Sequence, residues 1–105
     1  MIKFTLTGQE GNEYVYSAFG DNDEERGRCR FEINGFDLKI TEICALDELE
    51  AEGLLRSSMN FAAGRGAYDC VYDCAEFCDM ARRIGFEEKE TLRADIPDVL
   101  LDCRH

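Results

Sequence analysis

The chain has 105 residues, a formal net charge of −11 and 45% hydrophobic residues, which predicts one globular domain covering residues 1–105. No stretch approaches the ~18 apolar residues of a membrane span, and the N-terminus lacks a signal-peptide pattern, so we expect a cytoplasmic protein. The 23 acidic residues outnumber the 12 basic ones. This balance argues against binding to nucleic acid or to an anionic membrane surface, because phosphate groups need the opposite charge.

Two β-strands are predicted at the start of the chain, at Ile2–Thr7 and Glu13–Phe19. Apolar and polar residues alternate in the first run, which is the pattern of a half-buried strand, and the polar loop GQEGN joins the two into a hairpin. The charged segment DNDEERG at residues 21–27 then predicts an exposed loop.

A second hairpin is predicted at the Asn34-Gly35 dipeptide, because Asn-Gly favours the type I′ turn of a two-residue loop. Folding the flanking runs about this turn places apolar side chains on one face of the hairpin and charged side chains on the other. The predicted cross-strand pairs are Ile33–Phe36, Phe31–Leu38 and Cys29–Ile40.

The second strand of this hairpin changes phase near its end. Its next inward position is Glu42, whereas the apolar residue is Ile43. A one-residue β-bulge would produce this shift, and fraying of the strand would give the same pattern.

A helix is predicted after this strand, with Asp47 as its N-cap, acidic residues in its first turn, and Gly64 and Gly66 at its end. Residues Ala67–Tyr72 predict a short strand, which we expect to run parallel to the strand before the helix. An apolar stripe at helical spacing predicts a second helix over about Cys74–Ile84.

Two further segments complete the chain. Alternating residues over Thr91–Ile96 predict a strand that Pro97 ends. The tail DVLLDCRH predicts a short turn or helix.

Residues 54–88 read as helix, glycine turn, short strand and a second helix that ends at Arg83-Ile84-Gly85-Phe86. This unit resembles the second half of the Gcn5-related N-acetyltransferase (GNAT) family, whose last helix commonly closes on a Lys/Arg-Leu-Gly-Phe signature. The resemblance implies a truncated α/β domain, with a mostly antiparallel sheet, one parallel strand pair and two main helices. It also implies transfer of an acetyl group from acetyl-CoA to an amine.

The family binds the CoA pyrophosphate on backbone N–H groups at the start of its long helix, in a loop of pattern Gln/Arg-x-x-Gly-x-Gly/Ala. On this chain the pattern falls on Leu46, Leu49 and Ala51, and only Ala51 matches it. Carboxylates crowd the same helix start and would repel a diphosphate, so we expect a degenerate site without normal acetyl-CoA use. These carboxylates belong to Asp47, Glu48, Glu50 and Glu52.

The catalytic positions of the family are also changed. The tyrosine that protonates the CoA thiolate in many members corresponds to Ala81, and the asparagine at the start of the same helix corresponds to Cys74. Glu42, late in the bulged strand, stands where some members place a general base. A glutamate that faces solvent is the simpler interpretation, since a general base needs a raised pKa and a partner.

Six cysteines are many for this length, and without a secretion signal we expect reduced thiols that are mostly buried. Cys70, Cys74 and Cys78 form a CxxxCxxxC run that does not match a paired zinc knuckle. Because the one histidine is His105, we expect no metal site and no Cys-His triad. Cys44, Cys70 and Cys74 stay candidates for reactivity, although neighbouring carboxylates oppose a Cys74 thiolate.

Three functions therefore remain open. The first is a degenerate GNAT-fold protein that acts as a binding or interaction module. The second is an acyl-CoA-dependent N-acetyltransferase with an atypical pyrophosphate loop, and the third is a cysteine-based redox or metal protein. Exposed hydrophobic surface on so short a domain also predicts a homodimer.

Overall fold

Seven β-strands and three α-helices make up the part of the chain that the computed structural model describes, residues 1–102. The predicted α/β fold class is confirmed. The elements are β1 Lys3–Glu10, β2 Glu13–Phe19, β3 Glu25–Asn34, β4 Asp37–Cys44, α1 Glu48–Gly64, β5 Asp69–Tyr72, α2 Cys78–Ile84, β6 Glu87–Lys89, β7 Thr91–Asp95 and α3 Ile96–Asp102.

The strands form one mixed sheet in the order β1-β2-β3-β4-β5-β7-β6. β4 and β5 pair in parallel, because α1 carries the chain back along the sheet between them, and the other neighbouring strands pair antiparallel. The sequence-based expectation of one parallel strand pair is therefore confirmed within residues 1–102.

The three helices lie on one face of the sheet. α1 packs against β1 to β4 and also contacts α2 and α3. Alternate strand residues point toward α1 and form the core, whereas the opposite, helix-free face carries charged side chains such as Arg30 and Lys39. The largest fully buried side chains are Phe31, Leu38, Ile40, Ile43, Leu54, Leu55, Met59, Met80, Ile96 and Val99.

The turn between β3 and β4 differs from the predicted one. Asn34 pairs with Asp37, so the turn residues are Gly35 and Phe36, and the predicted Ile33–Phe36 pair does not form. Gly35 has φ +62° but Phe36 does not have a positive φ, whereas a type I′ turn needs positive φ at both central positions. The register moves by two residues, so none of the three predicted pairs forms. An even shift keeps the strand residues on their predicted faces, but Phe36 lies in the turn and is 74% exposed.

The predicted bulge in β4 is confirmed. Arg30 pairs with Glu42 and Phe31 pairs with Ile40, so Thr41 is the extra residue. The bulge returns Ile43 to the helix side of the sheet, where it is 1% exposed.

The helix α1 begins as predicted. Asp47 is its N-cap, and the Asp47 carboxylate accepts a hydrogen bond from the backbone N–H of Glu50 at 2.8 Å. The helix ends at Gly64, and Gly66 follows with φ +94° in the turn that leads to β5.

The helix α2 is shorter than predicted, because it begins at Cys78 rather than near Cys74. Phe77 has φ +60°, which a right-handed helix cannot contain. The Tyr72 hydroxyl donates to the carbonyl oxygen of Glu76, which fixes this turn against the end of β5. Residues 73–77 therefore form a connecting segment.

Smaller differences concern the strands. β1 continues to Glu10, into the predicted loop GQEGN. β3 begins at Glu25, inside the segment predicted as a loop, and β5 begins at Asp69 rather than Ala67. The short strand β6 was missed because Glu87–Lys89 is wholly charged and shows no alternation. The tail forms the helix α3, while residues 103–105 lie outside the described part of the chain.

Candidate functional site

β4 extends beyond β5 at its carboxyl end. Their pairing runs from Asp37 opposite Asp69 to Ile40 opposite Tyr72, and the N–H of Asp73 donates to the Ile40 carbonyl at 2.8 Å. Beyond this point the bulged end of β4 stays paired with β3 while the chain leaves β5. Because β5 ends at Tyr72, no residue of β5 pairs with the bulged end of β4.

Large side chains are buried at this junction. Ile43 from β4 is 1% exposed and Tyr72 from β5 is 3% exposed. The ring of Tyr72 packs edge-on against Phe86, with their centroids 5.8 Å apart. The junction is therefore substantially packed on its helix side.

The start of α1 lies directly after β4, and it is occupied by the protein's own carboxylates. Glu50 is only 5% exposed. One of its oxygens accepts the N–H of Leu46 at 3.2 Å, and the other accepts the Arg26 guanidinium at 2.8 Å. Together with the Asp47 cap, these bonds use N–H donors and a positive charge that an anionic ligand would otherwise engage.

Gly27 makes this arrangement possible. A Cβ on Gly27 would lie 2.4 Å from the carbonyl oxygen of Cys44 and 3.0 Å from Oε1 of Glu50. The end of β4 therefore passes too close to β3 for any side chain at this position. Close approach of the backbones holds residues 44–46 where the N–H of Leu46 can meet Glu50.

The other carboxylates at this helix start are also paired. Arg83 from α2 contacts Glu48 at 2.9 Å and Glu52 at 3.6 Å. Arg56 contacts Glu52 at 2.9 Å and donates to the Val99 carbonyl. Arginines of α1, β3 and α2 thus face these carboxylates, and the ion pairs of Arg83 link α2 to α1.

Two further positions of the GNAT pattern lie in the core. Ala51, the one matching loop residue, is fully buried and its N–H donates to the Asp47 carbonyl in the first helical turn. Ala81, at the position of the family's tyrosine, is fully buried in α2. It carries no group that could protonate a thiolate.

Glu42, the candidate general base, pairs across the sheet with Arg30. Its side chain is 39% exposed and lies 3.5 Å from Nε of both Arg28 and Arg30. These contacts are those of a surface ion-pair cluster. The role of Glu42 as a base stays a prediction.

The candidate cysteines are dispersed over different elements. Cys70 lies on β5, Cys74 lies in the connecting segment and Cys78 begins α2, so the prediction that Cys74 lies in the second helix is wrong. Cys44, at the end of β4, is exposed. Within residues 1–102, no group of three or more His, Cys, Asp or Glu side chains is arranged to hold a metal ion.

Burial opposes thiolate formation at three cysteines. It raises the pKa of the Cys29 thiol to about 12 and that of Cys74 to about 11, although the neighbouring Tyr72 hydroxyl partly offsets the shift at Cys74. Burial also raises the pKa of Cys70 well above its usual value. A nucleophile works as the thiolate, so these side chains are suited to packing.

Sequence inspection missed a pair of facing carboxyl groups. Asp69 of β5 and Asp95 of β7 are cross-strand partners beside a polar cavity of about 300 Å³. Desolvation, followed by a hydrogen bond and charge repulsion from Asp69, raises the pKa of Asp95 above its usual value of 3.8. The two residues are 26 positions apart, so only strand pairing brings them together.

We expect Asp95→Asn to raise the melting temperature near pH 7 and to have a much smaller effect near pH 3. The raised pKa means that the folded state binds this proton more tightly, so the associated stability is present below the usual pKa and is lost as the pH rises through the folded value. Thermal melts across this pH range test the expectation. Glu76→Gln, which removes one charge at an exposed position, should not reproduce the effect.

No protein-family model matches the chain, and no curated protein matches it by sequence. Solved structures do match it. An N-acetyltransferase of Thermoplasma acidophilum named PaiA, solved with coenzyme A, superposes with a TM-score of 0.72 at 10% identity, over 80% of this chain and 61% of that one. The chain has the GNAT fold.

Two further structures agree. A GNAT-family protein of Desulfovibrio desulfuricans superposes with a TM-score of 0.68 at 12% identity, over 81% of this chain and 70% of that one. The spermidine/spermine N-acetyltransferase SpeG of Vibrio cholerae superposes with a TM-score of 0.63 at 13% identity, over 91% of this chain and 71% of that one. The chain thus spans about three fifths to seven tenths of the length of these structures, and at these identities the likeness concerns the GNAT fold alone.

Proposed function

We propose that this GNAT-fold chain does not use acetyl-CoA in the manner of the family and acts as a binding or interaction module. One observation carries the proposal. The position at the start of α1 where the family binds pyrophosphate is taken by the carboxylate of Glu50, which engages the N–H of Leu46 and the guanidinium of Arg26. A diphosphate at this position would have to displace a buried, hydrogen-bonded carboxylate.

The surroundings of this carboxylate support the same conclusion. Leu49 replaces the glycine that lets the family's backbone approach the pyrophosphate, and its side chain is 80% exposed at the helix start. Glu48 and Glu52 add negative charge beside it, which repels a further anion.

Titration of the protein with acetyl-CoA and with CoA tests the proposal. A ligand present at 100 times its Kd stabilises a folded protein by about 2.7 kcal/mol, which is several degrees in melting temperature for a domain of this size. We expect no such rise at 1 mM of either compound, and no heat of binding by calorimetry. Binding with a Kd of 10 μM or tighter would overturn the proposal.

An N-acetyltransferase with an atypical pyrophosphate loop is the second candidate, and the parallel pairing of β5 with the bulged strand β4 favours it. The PaiA structure contains coenzyme A and SpeG acetylates spermidine or spermine by its name. Acetyl-CoA with spermidine is therefore the appropriate assay pair. Release of free CoA that depends on the polyamine would favour this candidate, whereas the proposal expects none.

The homodimer expected from the sequence stays a proposal. The net charge of −11 opposes contact between two copies at low ionic strength. Light scattering at low and at high salt measures the mass directly.

A further inference from the structure

An apolar groove runs between β1 and α1 on the helix side of the sheet. It has a volume of about 370 Å³, and its apolar lining comes from Ile2 and Phe4 on one side and from Leu49 and Gly53 of α1 on the other. A Cβ on Gly53 would lie 2.2 Å from Cζ of Phe4, so the glycine admits the phenylalanine ring against the helix. The size falls within the range of sites that hold a few side chains or a small ligand.

Two large apolar side chains are exposed at the start of α1. Leu49, which lines the groove, is 80% exposed, and Leu46, which precedes the N-cap Asp47, is 67% exposed. Apolar side chains that are grouped on the surface, beside a groove with an apolar floor, mark an interaction surface more often than isolated ones do.

The groove lies along a free edge of the sheet. β1 is the end strand of the sheet that residues 1–102 form, so within these residues its outer backbone groups have no strand partner. The second half of β1 is protected by a register shift between Leu6 and Gly8 and by the charge of Glu10. The first half, which carries Phe4, has the regular pairing that an added strand requires.

The charge of the chain, more than that of the groove, favours a basic partner. Three carboxylates line the groove, those of Asp47, Glu50 and Glu52, against the two guanidinium groups of Arg26 and Arg56, so its local charge is only slightly negative. The whole chain carries a net charge of −11, which disfavours a second copy and favours a basic partner.

We propose that this groove is a docking site for an extended segment of a partner protein that is rich in both apolar and basic side chains. The segment adds to the outer edge of β1, and its alternate side chains enter the groove on the side of Phe4 and Leu49. Main-chain hydrogen bonds then supply affinity and the groove supplies selectivity. The inference rests on the proposed function and names the partner class of the module.

Fluorescence anisotropy with two labelled synthetic peptides provides the test. One probe repeats Lys-Leu four times and the other repeats Glu-Leu four times. We expect the Lys-Leu peptide to bind and the Glu-Leu peptide not to bind. We also expect amide hydrogens of residues 3–6 in β1 to exchange more slowly when the Lys-Leu peptide is bound. No binding of the Lys-Leu peptide, or protection confined to other strands, would overturn the proposal.

Two matched variants separate groove binding from attraction to net charge. Leu49→Ser should weaken binding of the Lys-Leu peptide about tenfold, because one leucine contact with the ligand is lost. Phe36→Ser removes a side chain that is 74% exposed at the opposite end of β4, and it should leave the affinity unchanged. Neither variant alters the charge, so equal affinities would contradict the proposal.

A titration with acetyl-CoA on the same preparation keeps the two proposals apart. Binding of acetyl-CoA overturns the proposed function whatever the peptide does. Failure of the peptide alone overturns the docking site and leaves the loss of normal CoA use standing.

Discussion

Gly27→Ala is expected to lower the free energy of unfolding by about 3 kcal/mol, at the upper end of the usual effect of overpacking. The new methyl group would lie 2.4 Å from the carbonyl oxygen of Cys44 and 3.2 Å from Cα of Ala45. These are backbone atoms at the end of β4, so they cannot rotate away, and the strand must shift. Urea unfolding of the variant and of the original protein measures the difference.

Gly64→Ala is the matched control for this change. No atom lies within 4 Å of a Cβ at Gly64, and Gly64 does not have a positive φ. We expect this variant to keep the original stability or to exceed it slightly, because alanine restricts the unfolded chain. Equal stability of the Gly27 and Gly64 variants would show that β3 and β4 do not approach as closely as described.

Glu50→Ala is expected to lower the free energy of unfolding by about 2 kcal/mol. The change removes the acceptor for the N–H of Leu46 and the buried partner of Arg26, and hydrogen bonds to charged groups contribute about 1.5–3 kcal/mol each before relaxation. Sulfate should stabilise the variant more than the original protein, because an anion can then meet the vacated donors. Thermal melts with and without sulfate measure both effects.

Glu48→Ala serves as the control for Glu50→Ala, since it removes a carboxylate from the same helical turn. The Glu48 side chain is 50% exposed and forms a surface ion pair with Arg83, so its loss should cost less than about 1 kcal/mol. A similar loss of stability in both variants, or an equal response to sulfate, would contradict a special role for Glu50.

Local features of the fold could be predicted because adjacent residues determine them. Asp47 before an acidic turn predicts the start of α1, and the phase change from Glu42 to Ile43 predicts the bulge. The parallel pairing of β4 with β5 followed from the intervening helix. These signals also sufficed for the resemblance to the GNAT fold.

Other features depend on contacts between distant residues. Arg26 and Glu50 are 24 positions apart, and Asp69 and Asp95 are 26 apart, so sequence inspection could not pair them. The left-handed conformation of Phe77 is set by its surroundings and has no signal in the neighbouring sequence. The predicted α2 is therefore too long. The β3–β4 register was wrong because glycine also suits the first central position of a two-residue turn.

The placement of all three helices on one face of the sheet has a consequence during synthesis. The ribosome releases β1 to β4 before residues 48–64, whose helix covers the apolar side of these strands. Until α1 emerges, this four-stranded meander exposes an apolar surface next to unpaired strand edges. The nascent chain is therefore most prone to aggregation just before its long helix leaves the exit tunnel.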